Sequence, residues 1–578
     1  MTFTASVAAG AESCDSLSRL CETRLDDGQF ALARHDDLLV AWSATCPWIQ
    51  THEEGGVLVV LDGRLHNLPC ATGNQAKGIW ERYRAAGSKV ARDLLGDFVV
   101  IVLDRPRKTL LVARDPVGVR PWYQAAAGRW HAAASDLATL VSLPSVDTSI
   151  NEPIAIEYLA AVEESRGETL YRGIRTLGPG ETWYRAAGRA ATVRHLRWDL
   201  EPELDISWED AAERCRAVFE EAVLCRLSTD QPATAELSGG LDSSTVAGTL
   251  VKVGRTDLIV GRMVFDGPRA DERTYSDAVI ERWGLRHVSA RPWIPGHRER
   301  HELTHLLRRP CPDANFTMFA TLHRSLLELG RRDGLTGLGG DDAFVASGIG
   351  SRVVSAVKLR RRGVLGELAS AVIRHPAESW SQVLRPTAGY LAAPWRGHRR
   401  VPGWVTKRAA AEGDLPSLLG RQAERVTGID AIDERGSNFT SGYNASILQT
   451  RAVLSDWLGR RESHPFLDPR FVRATYGLDP WWPTRGGHYR ALHVEAFGDR
   501  LPSVVARRLT KADFSEVFWP QVLDDHELAK VRTGPLATYG WLDRPGFDAL
   551  VVNAKKGMAN SAIPLFRCLS LDRWMRTQ

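Results

Sequence analysis

Short apolar runs divided by polar turns fill the first part of the chain. Four runs of strand length lie at residues 38–42, 57–61, 96–104 and 109–113. Runs of this length bounded by turn residues predict strands, and the short polar break at 105–108 predicts a hairpin. We expect Asp62-Gly63-Arg64 to form the turn after the second strand, and a helix at about 74–86. The first domain is therefore predicted to be an α+β unit dominated by sheet.

The pattern changes near residue 208, where helix-length and strand-length segments alternate. The predicted order is a helix at 208–227, a strand at 232–237, a helix at 245–253, a strand at 258–265, a helix at 271–283, a strand at 286–289 and a strand ending at 335–336. This α/β alternation predicts a doubly wound parallel sheet, with ligands at the carboxyl ends of its strands. An acidic, turn-prone EPELD segment marks the boundary. We divide the chain into domains at 1–195 and 208–578.

Composition narrows the class of protein without selecting a function. A chain of 578 residues is too long for one hydrophobic core, and a net charge of +4 is too small to indicate nucleic acid binding. The eight cysteines are scattered without a C-x-x-C pair, which favours reduced thiols over a disulfide framework or a zinc site. Neither a signal peptide nor a membrane span is evident, so we expect a cytoplasmic protein.

A glycine loop after the predicted strand at 232–237 is the strongest candidate for chemistry. It reads Ser238-Gly239-Gly240-Leu241-Asp242-Ser243-Ser244 and leads into a helix. Helix N-termini bind anions through free N–H groups, and glycines let the backbone approach a phosphate. The loop has no lysine followed by Ser or Thr, which excludes a Walker A loop. Because phosphates would repel a carboxylate unless a cation lay between them, Asp242 implies Mg²⁺ and a polyphosphate.

The sequence SGGLDSS resembles the pyrophosphate loop of the N-type ATP pyrophosphatases, which cleave ATP between the α- and β-phosphates. A second loop, Gly337-Leu338-Gly339-Gly340-Asp341-Asp342, resembles the G-x-G-S/G-D loop of the asparagine synthetases. The resemblance implies that Asp242 and Asp341 share a Mg²⁺ ion and act in catalysis. It also implies ATP contacts at Leu237, Ser238, Gly239, Gly240, Asp242, Ser243, Ser244, Val264, Phe265, Gly339 and Gly340.

Two segments farther along the chain extend this resemblance. His464-Pro465-Phe466-Leu467-Asp468 is similar to the R-x-P-F-L-D stretch of the asparagine synthetases, with Ser463 where Arg is usual. Residues 507–514 resemble their closing segment, whose lysine neutralises charge on the transferring phosphoryl group. The resemblance therefore implies that Lys511 is a catalytic residue.

The first domain carries a separate resemblance. GDFVVIVLD at 96–104, ARDPVGVRPWY at 113–123 and SDL at 135–137 resemble the glutaminase domain of the asparagine synthetases, an N-terminal nucleophile hydrolase sandwich, and 169–180 resembles its closing hairpin. The family has a nucleophilic cysteine where this sequence has Thr2, and Asn-Gly-Glu where it has Asp62-Gly63-Arg64. The acid that grips the glutamine amine is replaced near Asn74-Gln75. We expect a domain that has kept its fold, lost its glutaminase activity, and serves in packing or partner docking.

The residue at position 338 of the second loop limits which reaction the protein is expected to catalyse. Asparagine synthetases place Glu, and β-lactam synthetases a catalytic Tyr, at the position of Leu338, which can neither accept nor donate a proton. The pattern T-G-x-G-G-D-x-x-F at 336–344 is similar to the lasso peptide cyclases. That resemblance implies ATP-dependent activation of an Asp or Glu side chain of a precursor core peptide, followed by amide formation with its N-terminal amine. It implies a leader peptidase and a leader-binding protein as partners. The Arg- and Trp-rich stretch at 352–425 is compatible with a solvated basic helix or with a substrate-binding lobe for a peptide.

Other functions are compatible with parts of the sequence. One is another ATP-dependent amide ligase, similar to the β-lactam synthetases or to an asparagine synthetase that uses ammonia. A different class is suggested by His301-Glu302-Leu303-Thr304-His305, because H-E-x-x-H on a helix binds zinc in metalloproteases. No third ligand is recognisable downstream, so we expect the zinc hydrolase to be the weaker alternative.

Overall fold

The computed structural model describes most of both domains. It covers residues 5–25, 30–68, 73–127, 130–162, 167–186, 188–195, 205–227, 232–311, 319–344, 401–420, 442–479, 482, 490–508, 512, 514, 517, 519 and 522–578. Thr2, Lys511 and most of the stretch at 352–425 lie outside the described residues. No helix in the described ranges is long and apolar enough to cross a membrane.

The first domain is a sandwich of two six-stranded antiparallel sheets. Its strands are β1 Ala5–Ala9, β2 Phe30–His35, β3 Leu38–Ser43, β4 Ile49–Glu54, β5 Val57–Leu65, β6 Gly96–Asp104, β7 Thr109–Arg114, β8 Tyr123–Ala127, β9 Trp130–Ala134, β10 Arg175–Thr176, β11 Glu181–Ala186 and β12 Arg189–Arg194. One sheet has the order β10-β8-β9-β1-β3-β2, and the other β12-β11-β7-β6-β5-β4. Alternate residues of β1 and β5, such as Val7 and Val60, meet in a core between the sheets. The predicted sandwich is confirmed.

The described helices cover the outer faces of these sheets and build most of the second domain. In chain order they are α1 Ala11–Leu25, α2 Gln75–Ala86, α3 Leu137–Val141, α4 Glu152–Ala160, α5 Trp208–Leu224, α6 Leu241–Lys252, α7 Arg273–Trp283, α8 His297–Leu307, α9 Phe319–Glu328, α10 Gly340–Phe344, α11 Lys407–Glu412, α12 Gly442–Leu458, α13 Pro469–Tyr476, α14 Ala491–Phe497, α15 Ser503–Ala506, α16 Asp525–Thr533, α17 Pro535–Thr538, α18 Arg544–Lys555 and α19 Ala562–Met575. Single 3₁₀ turns occur at Gly87–Lys89, Pro465–Leu467, Gly498–Arg500 and Ala559–Ser561.

The predicted turn at Asp62-Gly63-Arg64 is wrong. These residues continue β5 and pair with β6, with Asp62 opposite Val99 and Arg64 opposite Asp97. Gly63 allows this because its φ is +126°, and a Cβ there would lie 2.0 Å from the Asp97 carbonyl oxygen. Position 63 therefore requires glycine so that β5 and β6 can pair this closely. The side chains on either side of it are carried to the end of the sandwich that faces the second domain.

The second domain contains the predicted parallel sheet, which has five strands among the described residues. Its strands are β13 Thr234–Glu236, β14 Ile259–Met263, β15 Arg286–Ala290, β16 Asp333–Leu335 and β17 Arg461–Ser463, in the order β15-β14-β13-β16-β17. Ala235 and Val260 pack against α5 and α6 on one face, while Ile259 and Ala290 pack against α9 on the other. The sheet is thus doubly wound. Both predicted loops leave its carboxyl edge, one after β13 and the other after β16.

The two domains share one hydrophobic core. It joins residues from the first sheet and α4 to residues of α16, α18 and α19, at the far end of the sequence. Trp574 of α19 lies edge-on to Tyr171, with ring centroids 5.6 Å apart, and its indole N–H donates to the Arg308 carbonyl at 3.2 Å. This shared core agrees with the packing role expected for the first domain.

Candidate active site

The first loop is a tight connection between β13 and α6. Gly239 has a φ of +83°, and a Cβ there would lie 2.6 Å from the Ser276 amide nitrogen, so only glycine fits. The hydroxyl of Ser243 accepts from the Ser238 N–H at 3.1 Å and lies 2.9 Å from the Ser238 hydroxyl. The loop is therefore folded back onto the first turn of α6, with Ser238 at the surface.

The three serines of this loop differ in exposure. Ser238 is exposed, whereas Ser243 is 8% and Ser244 0% exposed. The Ser244 hydroxyl has no hydrogen-bond partner among the described residues. Ser238 is thus placed to meet a ligand, and Ser243 holds the loop in shape. The predicted ATP contacts of all three stay predictions.

The second loop packs directly on Asp242. A Cβ on Gly340, the first residue of α10, would lie 2.2 Å from Asp242 Oδ1, and a Cβ on Gly337 would lie 2.7 Å from the Ser243 amide nitrogen. Gly339 has a φ of +91° and is crowded by Leu467. The glycines of the second loop are therefore required for the close approach of the two loops. Asp341 follows at once, with its side chain 52% exposed.

One guanidinium binds both predicted metal ligands. Arg490 directly precedes α14, has a left-handed φ of +55°, and is 2% exposed. Its Nη1 donates to Asp242 Oδ1 at 2.5 Å, and its Nη2 is paired with Asp341. The carboxylates of Asp242 and Asp341 thus lie on either side of one guanidinium, and the Mg²⁺ site that they are predicted to share stays a prediction.

A neutral histidine lies next to Asp242, on the protein-interior side of the Arg490 ion pairs. His493 lies one turn after Arg490, is fully buried, and pairs through Nε2 with the Thr245 hydroxyl at 2.7 Å. Burial, helped by the nearby Arg490 charge, holds the pKa of His493 well below its ordinary value. Its Nδ1 lies 3.6 Å from Asp242 Oδ1. The imidazole therefore lies beside Asp242 without adding a second positive charge.

These residues fit a divalent cation of the magnesium type. Mg²⁺ prefers hard oxygen ligands and is commonly held by one or two carboxylates together with substrate phosphates. Asp242 and Asp341 offer such oxygens on separate loops, and the space between them already accommodates the positive charge of Arg490. They would hold the ion at the carboxyl edge of the sheet.

The closing segment reaches the same site. Arg508 donates to Glu272 Oε1 at 2.6 Å and approaches the Gly239 carbonyl at 3.5 Å, with its guanidinium 4.0 Å from the Tyr275 ring centroid. Phe514 packs on Phe265, with ring centroids 5.1 Å apart. Arg508 therefore contacts the first loop, and Phe514 contacts Phe265, which follows β14. Lys511 itself lies outside the described residues, and its catalytic role stays a prediction.

Gly340→Ala is expected to weaken the affinity for Mg·ATP by about 10–100-fold, the range typical of mutations in groups that orient metal ligands. The added methyl group would collide with the Asp242 carboxylate and displace it. Titration calorimetry with Mg·ATP measures the effect. Gly403→Ala is the matched control, because no atom lies within 4 Å of a Cβ built there. Equal affinity in the two variants would contradict the packing of Gly340 on Asp242.

The residues predicted to replace the glutamine-holding group are all engaged within the protein. Arg64 donates to the carbonyls of Arg226 and Leu227 at 3.0 and 2.6 Å, just beyond α5 of the second domain. Asn74 caps α2, and the Gln75 side chain bonds both the N–H and the carbonyl of Leu65 at 2.9 and 2.8 Å. Asp62 is fully buried at the domain interface. These side chains are therefore engaged in hydrogen bonds and ion pairs within the protein.

The zinc motif gains no support from its surroundings. His301, Glu302 and His305 lie on α8 as predicted, but Glu302 pairs with Arg298 at 2.9 Å. Two clusters with metal-ligand spacing occur in the described part of the chain, and neither includes the motif: His66, Cys225 and Asp468, and Glu236, His323 and Glu462. In both clusters an acidic residue is paired with an arginine, Asp468 with Arg226 and Glu462 with Arg451.

Comparison with known proteins identifies the family. A family model described as Asparagine synthase matches residues 214–576, which is more than half of the chain. A second, described as Glutamine amidotransferase domain, matches residues 64–196. This chain belongs to the asparagine synthase family.

The curated relatives of this asparagine synthase family member are distant. The putative asparagine synthetase (glutamine-hydrolyzing) of Mycobacterium tuberculosis strain H37Rv is 29% identical over 231 residues, covering 39% of this chain and 35% of the mycobacterial protein. Asparagine synthetase (glutamine-hydrolyzing) 3 of Bacillus subtilis is 28% identical over 220 residues, covering 37% and 34%. Amidase chry2 of Gibberella zeae is 24% identical over 330 residues, covering 50% and 47%. The chain thus spans about a third to a half of the length of these relatives.

Sequence reasoning missed Arg490 and His493. They lie in the His488-Tyr489-Arg490-Ala491-Leu492-His493 stretch, which follows Gly486-Gly487 but has no carboxylate to mark it as a ligand site. A usable signal was the pair of basic residue types three positions apart, at the start of a short helix before the closing segment. Only the fold brings these two residues against Asp242.

Proposed function

We propose that this family member is an ATP-dependent amide ligase that cleaves ATP between the α- and β-phosphates. The observation that carries the proposal is the pair of carboxylates, Asp242 and Asp341, bound to one cation on two touching glycine loops. Ligands of doubly wound sheets bind at this carboxyl edge. A Mg²⁺ ion held there would neutralise the phosphates and polarise the phosphoryl oxygens.

The proposed reaction has two steps. An oxygen of a substrate carboxylate attacks the α-phosphorus of ATP, and the bond to pyrophosphate breaks. The exposed Ser238 hydroxyl and the buried charge of Arg490 stabilise the phosphates during this step. An amine then attacks the acyl carbon, the bond to AMP breaks, and the amine nitrogen loses a proton. The products are an amide, AMP and pyrophosphate.

Within this class we propose a macrolactam synthetase of the lasso peptide cyclase type, acting in the cytoplasm. It would activate an Asp or Glu side chain of a precursor core peptide and join it to the N-terminal amine of the same peptide. The half-buried Leu338 in the second loop supports this proposal, because it lacks the proton-transferring group that Glu or Tyr would supply at this position in the asparagine and β-lactam synthetases. So does the engagement of Asp62 and Arg64 between the domains, because glutamine-derived ammonia then has no evident source.

The test is amide formation by the full chain with Mg·ATP and a precursor core peptide that carries an acidic residue. We expect the peptide to lose one water, with one AMP and one pyrophosphate formed per ring. Replacing the acidic residue of the peptide by its amide should abolish all three products, because an amide cannot attack the α-phosphorus as a carboxylate does. A leader peptidase and a leader-binding protein of the same pathway are the proposed partners.

Three parallel assays identify the alternatives. AMP formation from aspartate and ammonium would indicate an asparagine synthetase, and ammonia release from glutamine would indicate an active first domain. ATP-independent, chelator-sensitive peptide hydrolysis would indicate the zinc hydrolase. Each of these results would contradict the cyclase proposal if peptide cyclisation were absent.

A further inference from the structure

A ring of four buried charges joins the two domains at the start of β17. Asp62 of β5 accepts from Arg120 at 3.1 Å and from Arg461 at 2.6 Å. Asp456 of α12 accepts from the same two guanidiniums, at 2.6 and 3.2 Å. All four side chains are at most 11% exposed. Each domain contributes one carboxylate and one guanidinium, and the ion pairs Arg120–Asp456 and Arg461–Asp62 cross between the domains. We call these four residues the interdomain ring.

The ring holds β17 through residues on one face of the strand. Arg461 and Ser463 point the same way because side chains alternate along a strand. The Arg461 guanidinium lies over the Trp48 ring, 4.6 Å from its centroid, and the Ser463 hydroxyl donates to Asp97 at 3.2 Å. All of these partners belong to the first domain. That domain therefore contacts β17 at both of its ends.

Glu462, between these two residues, points to the opposite side and connects β17 with the first nucleotide loop. It accepts from Arg451 at 2.6 and 2.8 Å and from His323 at 2.7 Å. Arg451 also binds Glu236, the last residue of β13, at 3.3 Å. Burial alone would raise the pKa of Glu462, but Arg451 and His323 hold it well below its ordinary value. A fixed anion on β17 thus positions the strand end that leads into the Ser238 loop.

The next residues connect β17 with the second loop. His464 Nδ1 pairs with the Thr336 hydroxyl at 2.7 Å, and that hydroxyl also accepts from the Leu338 N–H at 3.2 Å. Burial lowers the pKa of His464 to about 4, so its ring is neutral. The Thr336 N–H donates to the Ser463 carbonyl at 3.1 Å. The backbone of the loop that carries Asp341 is therefore fastened to β17 at two points.

We propose that the first domain positions the two nucleotide loops through β17, with Asp62 as the positioning residue that anchors the strand. Asp62 stands at a position where the glutaminase domains hold glutamine. It would then help to keep Asp242 and Asp341 of the ligase domain in place. This proposal rests on the proposed function in one respect only, which is the identity of the ligand that the two loops bind. The contacts from Asp62 through Arg461 and Glu462 to both loops are independent of the substrate.

The test is hydrogen exchange of the full chain, followed by mass spectrometry of peptides that cover residues 234–242 and 333–341. Asp62→Asn keeps the shape of the side chain but removes one charge from the ring, which leaves Arg120 and Arg461 with a single carboxylate. We expect exchange in both peptides to accelerate at least about tenfold, since local opening governs exchange. Tyr158→Phe is the matched control. It removes a 2.7 Å interdomain hydrogen bond to the Cys311 carbonyl that has no link to β17.

A second variant keeps the proposal testable if Asp62→Asn fails to fold. Arg461→Lys retains the charge but cannot bind both carboxylates as a planar fork does, so it should give a smaller acceleration in the same two peptides. Unchanged loop exchange in a folded Asp62 or Arg461 variant, or equal acceleration in Tyr158→Phe, would overturn the proposal. If loop exchange responds as expected while no peptide is cyclised, the proposed function fails and the positioning role stands.

Discussion

Asp242→Asn and Asp341→Asn are each expected to slow pyrophosphate release by at least about 10³-fold, or roughly 4 kcal/mol in the activation barrier. Each change keeps the size of the side chain and removes one anionic oxygen ligand from the predicted Mg²⁺ site. Negative charge develops on the α-phosphate and the departing pyrophosphate, so a displaced cation raises the transition state more than the ground state. The two carboxylates bind one guanidinium, so neither can replace the other.

Single-turnover pyrophosphate release with the cognate precursor measures this effect. Asp342→Asn is the matched control, because it removes an acid from the same short helix without changing either carboxylate that binds Arg490. We expect the control to retain activity within about threefold, in keeping with the small effects of substitutions away from such features. Near-normal release by either Asp242→Asn or Asp341→Asn would exclude the two-loop site.

Arg490→Gln is expected to slow the same step by about 10²–10³-fold, the usual cost of losing one preorganised contact to a developing charge. The guanidinium is 2% exposed and lies between two carboxylates, at the site proposed for the phosphates. A fixed positive charge contributes strongly where water is excluded. Arg490→Lys should retain part of the rate, because it keeps the charge and loses the fork that reaches both acids.

Thermal unfolding separates this role from a purely structural one. Without Mg²⁺, Arg490→Gln would leave Asp242 and Asp341 facing each other without the guanidinium between them, so we expect a lower melting temperature than in the native protein. Added Mg²⁺ should restore more stability in the variant than in the native protein, because it supplies the missing charge. Arg507→Gln is the exposed control and should change neither rate nor stability measurably. A rate within about twofold of the native rate would remove Arg490 from the site.

The parts of the fold with strong local signals were predictable. The hairpin of β6 and β7, the start of α2 after Asn74, and the strand–loop–helix around Ser238 all follow from short-range patterns and turn chemistry. Element ends were less accurate, since α5 ends at Leu224 and β14 at Met263. Helix and strand ends depend on packing that a local pattern does not contain.

The turn predicted at Asp62-Gly63-Arg64 failed for an instructive reason. A polar Asp-Gly pair after an apolar run is a strong turn signal when only neighbouring residues are considered. In the fold, Asp62 is fully buried because two distant arginines, Arg120 and Arg461, neutralise it. Charge partners nearly 60 and 400 residues away in sequence cannot be read from the local pattern, and the same limit hid Arg490.

The core shared by the two domains has a consequence for the order of folding during synthesis. Residues near Tyr171 leave the ribosome long before Trp574, yet the two rings pack in one cluster. The sandwich can form its own sheets early, but its apolar outer face has no cover until α16, α18 and α19 have been translated. Cooperative folding of the first domain should therefore be completed only after residue 575, and nascent chains halted before α19 should be targets for chaperones that bind exposed apolar surface.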